Sequence, residues 1–237
     1  MTPHTQPPHT QMTTSSSAPK TLSLTRTLLL CGAIAGPLFL LTVLIQDYTR
    51  PGFNPRLHLL SQLSLGDWGW VQIVNFVLAG VLNLLYAWGL RRRLHPGRAG
   101  TWGPLLIGAY GLGLMTVGVF RTDPADGFPP GVVAPAHPSW HGAIHALVAG
   151  LTFLALSAAI AVFVRFFLAR KERWWACYCL ASAVLMLVIF FGGIGNATLA
   201  ARTLRLAALI GWMAASLIAV RLLCDPDTAP AHQKPAQ

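Results

Sequence analysis

Six long apolar stretches run through the chain, at about 27–46, 70–90, 102–120, 141–167, 176–194 and 199–223, each ended by a polar or glycine- and proline-rich break. Each approaches the roughly 20 residues with which a helix crosses about 30 Å of hydrocarbon. The apolar positions are continuous, without the period-two alternation of a membrane barrel. A helix satisfies its backbone polar groups within its own segment, so continuous runs of this length read as helices. The pattern predicts an all-α integral membrane bundle of six transmembrane helices.

The breaks set the organisation. Residues 1–26 are rich in Pro, Thr, Ser and His, lack hydrophobic periodicity, and read as a disordered tail; 225–237 read as a second tail, leaving 27–224 as the membrane domain. The first run is longer than a signal-peptide core and leads into Asp47-Tyr-Thr-Arg50 rather than a small-residue cleavage site, so it reads as an uncleaved span. Gly192, Gly193, Gly195 and Asn196 split the last two runs and predict a tight hairpin. Gly32 and Gly36 let another helix approach the first span, and packing inside the bundle is expected over homodimerisation. Pro37, just after them, is expected to kink that helix.

Composition agrees with this picture. The chain is 54% hydrophobic and 10% charged, against about 25% charged residues in a soluble domain. A net charge of +10 is compatible with nucleic-acid binding, but its placement argues for no nucleic-acid partner. Arg91, Arg92, Arg93 and Arg98 lie in one connection between apolar runs, and Arg165, Arg170, Lys171 and Arg173 lie around another. Cytoplasmic connections carry such clusters under the positive-inside bias. With both termini cytoplasmic, 12 of the 17 lysines and arginines fall inside, and Arg50, Arg56, Arg121, Arg202 and Arg205 fall outside. This orients the chain in a membrane, in contact with membrane lipids. Trp68, Trp70, Trp102, Trp140, Trp174 and Trp175 sit near the expected interfaces, where indoles are favoured.

Candidate chemistry gathers on the outer side. His141 and His145 lie one helical turn apart at the start of the fourth span, and Asp123 closes the third span before Pro124. Imidazoles at i and i+4 share a helix face, and a carboxylate completes a set of two His and one carboxylate suited to a transition metal such as zinc. The helix amino terminus disfavours imidazolium and keeps the rings neutral. His58 or His137 is a further candidate ligand. Residues 57–65 read as a short helix with His58, Ser61 and Gln62 on one face, lying on the membrane or dipping into the bundle mouth. The same histidines serve equally to fasten the outer loops by hydrogen bonds, or to sense a proton or ligand. Arg205 is expected to face the bundle mouth near Asp123 or Asp47, with Arg202 reaching toward headgroups. Cys31, Cys177, Cys179 and Cys224 read as small apolar residues.

The run from Arg50-Pro-Gly-Phe-Asn-Pro55 to Ser61-Gln-Leu-Ser-Leu65, with Gly69-Trp-Val-Gln-Ile-Val-Asn75, resembles the domain of unknown function 998 family of multi-pass prokaryotic membrane proteins. So do Gly118-Val-Phe-Arg-Thr-Asp-Pro124, Gly127-Phe-Pro-Pro-Gly131, Trp140-His-Gly with His145, and the late Arg205, Trp212 and Arg221. That resemblance implies a helical membrane bundle in a prokaryotic plasma membrane and carries no established activity. More loosely, a Ser, an Asp and several His near one membrane face are similar to the ceramidase and adiponectin-receptor-like superfamily of zinc-dependent membrane hydrolases. There, three histidines hold zinc beside an Asp and a Ser; this chain has one span fewer and its His pair in the fourth span.

The expected function is therefore an outer-face polar site built from Ser61, Asp123, His141 and His145. As an enzyme it would use a metal-activated water on a lipid ester or amide, with Asp123, His141 and His145 as ligands and Ser61 and Asp123 as the catalytic pair. The alternatives are a small transporter or proton or ligand sensor, and a structural membrane subunit without catalysis.

Overall fold

The computed structural model describes residues 20–193 and 195–225. The expected tail segments 1–19 and 226–237 lie outside them. Among the described residues there are six long helices: α1 Lys20–Thr49, α2 Gly69–Leu94, α3 Ala99–Val119, α4 Trp140–Ala169, α5 Arg173–Gly192 and α6 Ala197–Leu223. All six are long and apolar enough to cross a membrane. Their boundaries differ from the sequence expectation mainly at α1, which begins at Lys20, so residues 20–26 are helix and not tail.

Each helix packs on its neighbours in sequence, α6 closes the ring against α1, and α4 also meets α6 over a short stretch. One face of the bundle carries the long connections 50–68 and 120–139 and the short α5–α6 turn; we call it the loop face. The opposite, arginine face carries the α2–α3 and α4–α5 connections and the end of α6. In the turn at the loop face, Gly195 takes a positive φ of 86° and Asn196 caps α6, accepting from Leu199 N at 3.2 Å.

Lipid supplies little hydrophobic drive for helix association, so close packing and interhelical hydrogen bonds must hold the ring. Small residues sit where helices cross. A Cβ on Gly80 would lie 2.6 Å from Gly111 O, and one on Gly111 would lie 2.8 Å from Gly80 O, so α2 and α3 touch backbone to backbone there. Gly32 faces the Tyr86 ring and Gly36 faces Ser216 and the Trp212 carbonyl, so this pair packs inside the bundle. Polar bridges add to the contact: Ser216 Oγ donates to Gly32 O at 3.1 Å and Ser157 Oγ to Ala183 O at 3.0 Å. Such bonds average about 0.6 kcal/mol in membranes.

On the arginine face, Glu172 accepts from Arg170 Nε at 2.8 Å and Arg221 Nε at 3.0 Å. Asp225 pairs with Arg170 at 2.8 Å, and its carbonyl accepts from Arg93 Nη2 at 2.7 Å. Two acidic residues thus tie the ends of α2 and α6 to the α4–α5 connection.

Candidate functional site

Between the two long connections, the chain 57–65 does not form an amphipathic surface helix. Residues Leu60–Ser64 make one 3-10 turn that is buried on all sides and dips into the mouth of the bundle. The reason is that both its polar and its apolar residues find partners inside. Gln62 Nε2 donates to Ala125 O at 3.0 Å, and its Oε1 accepts from Leu59 N at 2.6 Å. His58 is buried between the connections: Nδ1 accepts from Asn54 N at 2.9 Å, so Nε2 carries the proton and donates to Asp126 O at 3.0 Å. Phe53 and Phe128 pack edge to face beside it, with centroids 5.1 Å apart. Arg50, also buried, donates from Nη2 to Leu63 O at 3.0 Å and to Leu65 O. Burial holds its guanidinium pKa below the ordinary arginine value, with Asp67 opposing that shift.

At the start of α4 the geometry is that of a helix cap. Ser139 Oγ accepts from Gly142 N at 3.0 Å. Asp123 then fastens the cap, taking Ser139 N at 2.8 Å and the Ser139 hydroxyl at 2.5 Å. A Cβ on Gly142 would overlap the Asp123 carboxylate, so glycine leaves the space that the carboxylate fills. The Ser139 hydroxyl bond holds the Asp123 carboxyl below its usual range, and burial opposes it. Because the Ser139 proton is given to Asp123, His141 Nδ1, 2.9 Å from Ser139 Oγ and 3.2 Å from Arg121 O, must itself be the donor.

His145 lies deeper. Its Nδ1 is 2.7 Å from Phe120 O and 3.1 Å from Val117 O. Carbonyls only accept, so Nδ1 carries the proton and satisfies two orphan carbonyls at the end of α3. Nε2 makes no hydrogen bond to the described residues.

The expected ligand set is thus only partly gathered. Asp123 and His141 approach to 3.9 Å, whereas His145 turns to α3, His58 is held between the loops and His137 is exposed. Among the described residues no group of three or more His, Cys, Asp or Glu side chains is placed to hold a metal ion.

Ser61 and His145 meet elsewhere, on a cavity of about 70 Å³ in the loop-face half of the bundle. Residues of α1, the 3-10 turn, α2, α3, α4 and α6 line it. Its walls are almost wholly apolar. Trp212 stacks on Phe39 at 4.9 Å and meets Tyr110 edge-on at 5.3 Å. Sequence reasoning singled out Ser61 and His145 but not this wall, since nothing local marks Phe39, Tyr110 and Trp212 as neighbours.

A second polar group, of which only the Arg205–Asp47 pairing was expected, sits at the same end. Gln46 Nε2 donates to Gln72 Oε1 at 2.8 Å, and Asn75 Nδ2 donates to Phe39 O at 3.2 Å. Arg205 Nη1 donates to both oxygens of Asp47, at 3.0 and 2.7 Å. This is the partner expected for Arg205, and Arg202 is exposed. Glutamines inside apolar runs were the available signal.

Comparison with curated proteins and with solved structures returns no match. One family model matches, over residues 33–221, which takes in the second half of α1, all of α2 to α5, both long connections and nearly all of α6. With six apolar helices in a closed ring and that match along most of its length, the chain is a multi-pass membrane protein and belongs to the family described as protein of unknown function (DUF998).

Proposed function

We propose that the protein binds an amphiphile of the surrounding membrane in the central cavity, with a donor group of the ligand, such as a hydroxyl, at Ser61 and His145. The observation that supports this is the state of His145. Its proton is committed to the α3 carbonyls, which leaves Nε2 an acceptor beside a cavity lined, apart from Ser61 and Thr152, by apolar and aromatic side chains. An apolar pocket with one or two convergent polar groups is the usual form of a small-ligand site. A volume of about 70 Å³ takes a short stretch of chain.

The loop face is proposed to be the outer face, with both termini cytoplasmic, because the arginine clusters lie opposite it. The reading belongs to the sensor or carrier class and needs no bond cleavage. Metal-assisted hydrolysis of a lipid ester or amide asks for a third ligand beside Asp123 and His141. Binding of octanol to the protein in neutral detergent tests the proposal. Ala149→Phe, which fills the cavity, should abolish binding, and His145→Gln should weaken it. Unchanged binding in Ala149→Phe would reject the cavity as the site.

A further inference from the structure

The loop-face half of the bundle contains buried donors that no described residue satisfies. Arg205 spends one nitrogen, Nη1, on both oxygens of Asp47; its Nε and Nη2 are buried and unpartnered. Those two nitrogens form the side edge of the guanidinium, the edge that clamps a carboxylate or phosphate with two parallel hydrogen bonds. Gln72 is fully buried and its Nε2 has no acceptor, while Gln46 Oε1 has no donor. Turning the two amides over does not cure this. It would set Gln46 Oε1 against Thr42 O, where Nε2 now donates at 3.3 Å.

Gln72 and Arg205 meet α1 at adjacent residues, Gln46 and Asp47, so both lie at one level of the bundle. That level is directly above the cavity. Gln46 lies two turns along α1 from Phe39, Gln72 one turn along α2 from Phe76, and Arg205 next to Leu204, all three of which line the cavity. Phe53 covers the guanidinium, its ring centroid 5.5 Å from Cζ.

An unmet donor in low dielectric costs about 1–3 kcal/mol, more when charged, so three at one level call for an acceptor. We propose that this level is an oxyanion subsite in which the Nε–Nη2 edge of Arg205 and Nε2 of Gln72 receive the phosphate or carboxylate head of the cavity's ligand. The inference rests on the cavity reading above and adds the charge class of its ligand. Asp47 is the opposing charge; it leaves the ion pair neutral and keeps the gain for an anion modest.

The test compares octyl phosphate, octanol and inorganic phosphate on the purified protein in neutral detergent. Two bidentate charge-assisted bonds predict octyl phosphate binding about tenfold tighter than octanol. Arg205→Gln removes the clamp, and the paired Asp47→Asn, Arg205→Gln variant keeps the comparison valid if the single change unfolds the bundle. In the paired variant the preference should vanish while octanol still binds. Equal binding of the two octyl compounds to the wild type would overturn the oxyanion subsite and leave the cavity reading standing. Binding of neither would overturn the cavity reading, and the subsite with it. A preference that survives in the paired variant would remove Arg205 from the role. Inorganic phosphate binding as tightly as octyl phosphate would overturn the link to the cavity, because the anion would then be free phosphate rather than a lipid-like head.

Discussion

Arg205 on α6 donates through a single nitrogen to both carboxylate oxygens of Asp47 on α1, and this pair joins the last helix to the first at the loop face. Both side chains are mostly buried, at 19% and 11% exposure. Removing one partner leaves the other charge uncompensated, which costs about 3–5 kcal/mol in buried pairs. Asp47→Asn and Arg205→Gln should each lower thermal stability in detergent by that order. The paired variant should lose less than the sum. Strictly additive losses would mean that the two groups are not coupled.

The Asp123–Ser139 contact predicts both a stability loss and a pH dependence. Ser139→Ala removes the cap of α4 and should cost about 1 kcal/mol. The Asp123 carboxyl is held below its ordinary value of 3.8, chiefly by the Ser139 hydroxyl. A depressed carboxyl stabilises the fold above its unfolded value, and that stabilisation is lost as pH falls through the folded one. Melting temperature should therefore drop below about pH 4, and Asp123→Asn should flatten that part of the profile. An unchanged acid limb in Asp123→Asn would show that other carboxyls set it.

Metal content separates the two readings of the histidines. With no third ligand beside Asp123 and His141 among the described residues, the purified protein should carry no stoichiometric zinc by elemental analysis. His141→Ala and His145→Ala should leave that value unchanged and lower stability instead, His145→Ala the more because it uncaps two α3 carbonyls. One equivalent of metal, lost in either variant, would restore the metal centre.

Orientation is open to direct labelling. Val133 is 89% exposed in the long α3–α4 connection, and Arg98 is exposed between α2 and α3. With Cys31, Cys177, Cys179 and Cys224 replaced, Val133→Cys should react with an impermeant maleimide on intact cells, and Arg98→Cys only after lysis. The reverse pattern would turn the bundle over and move the cavity to the inner leaflet.

What the sequence determined by itself was the set of helices and their breaks. Helix formation in lipid depends on local hydropathy and on backbone groups paired within one segment, and both are visible one residue at a time. The turn at Gly195 and Asn196 was legible for the same reason, since glycine and asparagine act on backbone within a few residues of themselves. The tertiary structure decided which polar groups share a site. Asp123 could reach His145 by sequence pattern, yet it binds Ser139, because a cap two residues before His141 offers it an N–H and a hydroxyl at once. His145 could ligate, yet its Nδ1 proton goes to carbonyls that α3 leaves unpaired. Gln72 and Arg205 are 133 positions apart, and only closure of α6 onto α1 brings them to one level above a cavity. Pairings of that kind depend on which helices touch, and hydropathy, which every span here shares, does not encode it.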